Sequence, residues 1–256
     1  MRYFLELSYQ GTAYHGWQRQ QNAPTVQQTL EEAFAVLLRT PTEITGAGRT
    51  DRGVHAACYV AHFDTEHPLE EDFCFRLNAI LPDDIAIRHA TAVPAGAHAR
   101  FDALEREYTY YILRDKNPFR RATAWHYHPE LDMERMNEAA AMLLHYSDFT
   151  TFSKLHSNNA TFICRLFHAA WREEAPGELR FTIRADRFLR NMVRSIVGTL
   201  VDVGRRKLTV EAFREIIESR DRSRASGSAP AQGLFLTGVR YPDDLFLSLS
   251  RKSSVI

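Results

Sequence analysis

From Tyr3 to Tyr9 aromatic or aliphatic side chains alternate with polar ones, and the run stops at Gln10-Gly11. That two-residue period predicts a strand with one buried face, closed by a turn. The period then lengthens. Val26, Leu30, Ala33, Phe34, Leu37 and Leu38 recur at helical steps behind Pro24-Thr25, with Gln28 three residues after the threonine, which predicts a helix opened by a capping box. A short strand is expected at 43–45, a longer one over 56–64, a helix from Phe73 to Leu81 stopped by Leu81-Pro82-Asp83-Asp84, and strands near 85–93 and 107–114.

The second half repeats this grammar loosely. After the strand at 107–114 come a helix behind the N-cap candidate Asp132, through Met133, Met136, Ala140, Leu143 and Leu144, and strands near 166–173 and 179–185. Between Arg187 and Val203 apolar pairs recur every four residues (Phe188/Leu189, Met192/Val193, Ile196/Val197, Leu200/Val201), which predicts the longest helix, with Gly204 as its C-cap. A helix from Thr209 to Ser219, a loop over 220–233 rich in Arg, Ser, Gly and Ala, and a strand from Leu234 to Tyr241 precede a tail after Pro242. Two halves of similar order predict an α+β protein of two sheet-and-helix modules, residues 1–104 and 105–256.

With 256 residues, 45% apolar and 25% charged, the chain has enough apolar surface for a folded core along most of its length. Cys58, Cys74 and Cys164 form no C-x-x-C pair and are odd in number, so they read as reduced core thiols of a cytoplasmic protein. The N-terminus does not resemble a signal peptide and no apolar run is long enough to cross a membrane, so no membrane partner is expected. The net charge of zero argues at first against a polyanionic partner, but it is a cancellation. Residues 1–104 hold 8 basic and 13 acidic side chains, and residues 105–256 hold 24 and 19. Of the 32 basic residues 28 are arginine, the side chain suited to bidentate phosphate contact, so the basic half is expected to face a nucleic acid.

Three segments carry candidate chemistry. In Gly46-Ala47-Gly48-Arg49-Thr50-Asp51-Arg52-Gly53-Val54-His55, three glycines surround one carboxylate set between two guanidiniums. Asp51 is either the turn former of a hairpin or an ionised, oriented nucleophile. No Gly-Lys-Ser/Thr follows, so the loop is not a Walker phosphate loop. Arg106, Tyr108 and Tyr110 share one face of a strand, either as core or as a platform for stacking a base. Arg187, Arg190 and Arg194 fall on one stripe of the predicted long helix, and Arg194 sits at its apolar edge, where a cation needs an anion; Asp51 is the expected partner. The histidines at 126, 128, 145, 156 and 168 have no zinc-like spacing with acids or cysteines, so no metal site is expected.

Gly48-Arg49-Thr50-Asp51-Arg52-Gly53-Val54-His55-Ala56 resembles the G-R-T-D-A-G-V-H-A motif of the tRNA pseudouridine synthase A family. Further pieces follow in the family's order: residues 14–20 (YHGWQRQ), 78–82 (NAILP), 98–101 (HARF), 106–110 (REYTY), 148–152 (DFTTF), and Phe188 with residues 192–198 (MVRSIVG). The resemblance spans about residues 2–241. It implies a pseudouridine synthase fold with a mostly antiparallel sheet and an active-site cleft between two modules. It also implies a homodimer, without cofactor or metal, that converts uridine to pseudouridine at positions 38 to 40 of the tRNA anticodon stem-loop. By the same resemblance the catalytic residues are Asp51, the nucleophile, Tyr108, the tyrosine that stacks on the target base and is a candidate general base, and Arg194, the cation paired with Asp51. Arg49 is the side chain that enters the stem, and Leu234 an apolar contact beside the base. Arg190 and Arg52 are expected to bind RNA; Arg52 departs from the family, which has alanine there. Whether Asp51 attacks C1′ or C6, or takes a proton from C2′, is open at this level. Two other classes compete. An RNA-binding module without turnover has no use for Asp51, and a phosphoester hydrolase with an Asp nucleophile would need metal-binding acids near it.

Overall fold

In the computed structural model, which describes residues 1–154 and 160–247, the alternating N-terminal run forms β1 (Arg2–Tyr9). His156 of the sequence analysis lies outside the described residues. Tyr3, Leu5, Leu7 and Tyr9 are buried on one face, as the strand period requires. Phe4 on the other face is buried too, because a cluster of Val60, Val93, Ala99 and Tyr241 covers it. The next helix is α1 (Val26–Leu38). The Thr25 hydroxyl accepts from the Gln28 N–H at 3.3 Å, but the Gln28 amide turns to Glu32, so only half of the capping box forms.

β2 (Thr45–Gly46) and β3 (His55–Asp64) form an antiparallel hairpin. They are followed by α2 (Phe73–Ile80), ended at Leu81 before Pro82, and by β4 (Ile85–Val93). β1 lies between β3 and β4, antiparallel to both. The chain continues through β5 (Glu105–Leu113), β6 (Trp125–His126), α3 (Met133–Met142), β7 (Leu166–Ala175) and β8 (Glu178–Ala185). β8 pairs antiparallel with β5 on one side and β7 on the other, and the short β6 runs parallel to its partner β5. α4 (Met192–Gly204), α5 (Val210–Glu218), β9 (Leu234–Arg240) and α6 (Asp244–Leu247) complete the order. Asp132 and Thr209 cap α3 and α5 by accepting from the N–H groups of Arg135 and Ala212. The content is mixed α and β, with mostly antiparallel pairing.

The chain divides into two compact units, one of Met1–Glu105 with the chain from Leu236 on, the other of Arg106–Phe235. The C-terminal stretch, grouped by sequence with the second module, thus returns to the first unit. Tyr241 joins the cluster around Phe4, and its hydroxyl donates to the Ala99 carbonyl at 2.6 Å.

Two expectations about the longest helix change. It starts at Met192 and not at Arg187, so Arg187 and Arg190 do not share a helical stripe with Arg194. The Asp186 carboxylate takes the N–H groups of Arg165 and Arg187, which ties the segment after β8 to other backbone, and Asn191 at φ 65° turns the chain into the helix. Gly204 is the last residue of α4 and not its cap. A Cβ there would lie 2.4 Å from the Met136 sulfur, so glycine serves the close approach of α3 and α4.

His62 on β3 gives the first unit a pH dependence. Its ring is 6% exposed and its Nδ1 accepts from the Ala99 N–H at 3.1 Å. Burial, then the Arg2 guanidinium and the neighbouring His98, hold its pKa down to about 4 from 6.5. The unfolded chain therefore binds the extra proton first, and stability falls as pH drops from 6.5 toward 4, by up to about 3 kcal/mol. Urea unfolding between pH 7.5 and 4.5 should show this slope, and His62→Asn, which keeps an acceptor near Nδ1, should flatten it.

Candidate active site

The residues from Ala47 to Val54 link β2 to β3 and form the loop that carries Asp51. Both ends are fixed: the Ala47 N–H donates to the Val60 carbonyl at 2.8 Å, and the Gly11 N–H donates to Nδ1 of the fully buried His55 at 3.0 Å. Between them Thr50 is buried and shares a 2.9 Å hydrogen bond with the Tyr9 hydroxyl. Gly53 reaches φ +76° and its N–H donates to the Tyr14 carbonyl at 3.3 Å, while the Val54 N–H closes a turn onto the Asp51 carbonyl at 3.1 Å. Asp51 is half-buried, and its neighbours Arg49 and Arg52 are exposed. Nε of Arg49 donates to Gln18 at 3.1 Å.

The segment from Gly11 to Gln18 is the seat of this loop, a role that residue types alone did not reveal. Gly16, at φ +93°, lies so close that a Cβ would sit 2.3 Å from the Thr50 carbonyl oxygen. A Cβ on Gly11 would sit 2.0 Å from the Val54 carbonyl oxygen. Beneath, Trp17 stacks on Tyr59 with ring centres 4.0 Å apart, and the Tyr59 hydroxyl donates to the Gly48 carbonyl. Tyr14 is pinned by its hydroxyl, which donates to Asp84 at 2.6 Å; burial and that carboxylate raise its pKa. The loop backbone is thus held from both ends and from below, and Asp51 needs little ordering when a ligand arrives.

In the second unit, Tyr108, Arg194 and Leu234 belong to one neighbourhood built around Tyr110. Tyr110 is fully buried on β5, and its hydroxyl donates to the Pro230 carbonyl at 2.7 Å. Burial raises its phenol pKa against the opposing charge of Arg194. Tyr110 is therefore core and not half of a stacking platform. Tyr108, on the same face of the strand, is half-buried, with its ring edge-on to Phe188 at 5.1 Å. Arg106 donates to the Asp186 carbonyl at 2.8 Å.

Arg194, half-buried in the first turn of α4, donates from Nε to the Ala229 carbonyl at 2.7 Å, and the Ala229 N–H donates back to the Arg194 carbonyl at 2.9 Å. A Cβ on Gly198 would meet the Gly227 carbonyl oxygen at 2.0 Å, and the Ser226 N–H donates to the Thr199 hydroxyl at 3.2 Å. The loop over 220–233 is thus strapped along α4 over 226–230, and it leads to Gly233 against the Tyr110 ring and to buried Leu234. Arg190, four residues before Arg194, is exposed. Among the described residues no group of His, Cys, Asp or Glu is placed to hold a metal ion, and no helix is long and apolar enough to cross a membrane.

Known proteins are similar to this chain along most of its length. The family model described as tRNA pseudouridine synthase matches residues 7–102 and 139–242, which include every candidate residue of the Asp51 loop together with Arg190, Arg194 and Leu234. A tRNA pseudouridine synthase A of Bacteroides fragilis is 53% identical over 247 residues, 96% of this chain and 98% of that protein. Those of Porphyromonas gingivalis and Bacillus subtilis are 54% and 40% identical, over 96% and 94% of this chain and 99% of each relative. Matches of this extent, on a chain whose aspartate loop is built as described, establish that the chain belongs to the tRNA pseudouridine synthase family.

Proposed function

We propose that the protein isomerises uridine to pseudouridine in tRNA, at positions 38 to 40 of the anticodon stem-loop, with Asp51 as nucleophile. The observation that carries this reading is the Asp51 loop: one half-buried carboxylate between two exposed guanidiniums, on a backbone anchored by Tyr9, Gly16 and His55. The reaction breaks the N1–C1′ bond, turns the uracil and rejoins it through C5, which gives up its proton. A group must hold the sugar or base while the two are apart, and an ionised carboxylate with little freedom does so. A base in a stem must first leave the stack, at a cost of a few kcal/mol. In this reading Arg49 enters the stem, Tyr108 stacks on the displaced base, and Leu234 gives an apolar contact beside it. Arg190 and Arg52, both exposed, take backbone phosphates. Arg194 pairs with Asp51, so the reading requires two similar modules to meet at a cleft holding the uridine. The protein acts as a homodimer in the cytoplasm, without cofactor or metal; the free Cys58, Cys74 and Cys164 fit a reducing compartment.

The position is tested by incubating unmodified tRNA transcripts with the protein and mapping pseudouridine by carbodiimide adducts that stop reverse transcription. Adducts are expected at positions 38 to 40. Adducts only in another arm would overturn the assignment. A second test concerns Arg194. Arg194→Ala is expected to lower kcat by roughly 100- to 1,000-fold, while the dissociation constant for tRNA in a filter-binding assay changes far less. Equal losses in both would place Arg194 on the RNA-binding surface.

A further inference from the structure

The turn at His98–Phe101, a motif singled out in the sequence and given no role by the reaction, presents an aromatic ring to solvent. Phe101 is 74% exposed, and the Arg100 guanidinium lies 5.6 Å from its ring centre. The His98 ring lies 4.3 Å from it. A large apolar ring in water is ordinarily mobile, yet here the backbone beneath it is tightly determined. The N–H groups of Arg100 and Phe101 both donate to His98 Nδ1, at 3.1 and 3.4 Å, and the Ala99 N–H donates to the buried His62 at 3.1 Å. The His98 N–H donates to Asp102 at 2.7 Å, and the Ala99 carbonyl accepts the Tyr241 hydroxyl. None of these bonds needs the phenyl ring, so the turn is built to hold a ring that the fold does not use. The turn also has a fixed place relative to the Asp51 loop. Ala47, the first residue of that loop, is buried in one cluster with Ala97, Ala99 and Ala103.

We propose that Phe101 is a stacking platform for a nucleotide of the RNA substrate next to the one being isomerised, with Arg100 supplying positive charge beside the ring; the proposal rests on the tRNA activity proposed above. An aromatic face takes any base, and a neighbouring guanidinium adds attraction for the phosphate that follows it. A protein surface that sought another protein would bury such a ring among apolar neighbours; this one is flanked by a cation and an imidazole.

The test compares wild type with Phe101→Ala, Phe101→Leu and Phe101→Trp for kcat and KM on unmodified tRNA, with melting temperature and sedimentation mass measured on the same samples. Phe101→Ala and Phe101→Leu are expected to raise KM roughly 5- to 100-fold with kcat and melting temperature unchanged, and Phe101→Trp to keep the wild-type KM. An unchanged KM for Phe101→Ala overturns the proposal. So does full rescue by leucine, which marks a merely apolar contact, or a change of mass, which marks a contact between copies. If wild type forms no pseudouridine, the functional reading fails by itself; direct binding of the same tRNA to wild type and Phe101→Ala then decides on Phe101, and equal affinities overturn its role.

Discussion

Asp51→Asn is expected to abolish pseudouridine formation, with a loss of roughly 10,000-fold or more, while the protein folds normally and still binds tRNA. The amide has nearly the same shape as the carboxylate, and the loop has several anchors besides that side chain. Its described anchors are the hydroxyl pair of Tyr9 and Thr50, the bond from Gly11 to His55 and the close seat on Gly16. On the proposed reading, the substitution removes the nucleophile and its attraction for the Arg194 guanidinium. Single-turnover assays at saturating protein isolate this step, and an unchanged melting temperature shows that the loss is chemical. Turnover within tenfold of wild type would remove Asp51 from the chemistry.

Gly16→Ala should lower both stability and turnover, from a residue that bears no functional group. At φ +93° any side chain is strained, and the added methyl would lie 2.3 Å from the Thr50 carbonyl oxygen, which belongs to backbone that cannot swing aside. The two costs together come to about 3 kcal/mol, relieved only by pushing the Asp51 loop off its seat. A lower urea midpoint is expected together with a loss in kcat of more than about tenfold, since a displacement of an ångström at a reacting group costs that much or more. Full activity at reduced stability would show that the seat supports the fold and not the position of Asp51.

The two predictions mark what the sequence shows and what it hides. Strand and helix periods are legible wherever one face is buried, as in β1, α1 and α5, because burial on one face imposes the period. The start of α4 was misplaced because Phe188 and Leu189 continue its apolar rhythm outside the helix. The break is made by the Asp186 side chain and by Asn191 at φ 65°, and neither changes the hydrophobic pattern. The return of the last strand to the first unit is likewise a matter of contacts far apart in the chain, Tyr241 with Ala99 and Phe4, which no local period encodes.

For the site, residue chemistry singled out Asp51 from its two flanking arginines, but its support was invisible. Glycines at 11 and 16 read as turn residues, and their purpose, the approach of another backbone, requires knowing what approaches. Gly16 between aromatic Tyr14 and Trp17, in a segment also flagged by resemblance, was the one available signal. Tyr110 shows the opposite error. Its spacing from Tyr108 suggested a shared platform, whereas the bond from its hydroxyl to the Pro230 carbonyl makes it core. Alternation tells which side chains share a face and not which of them lies at the edge.

The account rests on the isomerisation itself, and loss of hydrogen from C5 reports it directly. Wild-type protein and Asp51→Asn are to be incubated with unmodified tRNA whose uridines carry tritium at C5, and the tritium released into water counted over time. The account predicts release by wild type to a plateau of a few tritium atoms per tRNA, and none by Asp51→Asn. Binding of tRNA by wild type without any release would contradict it.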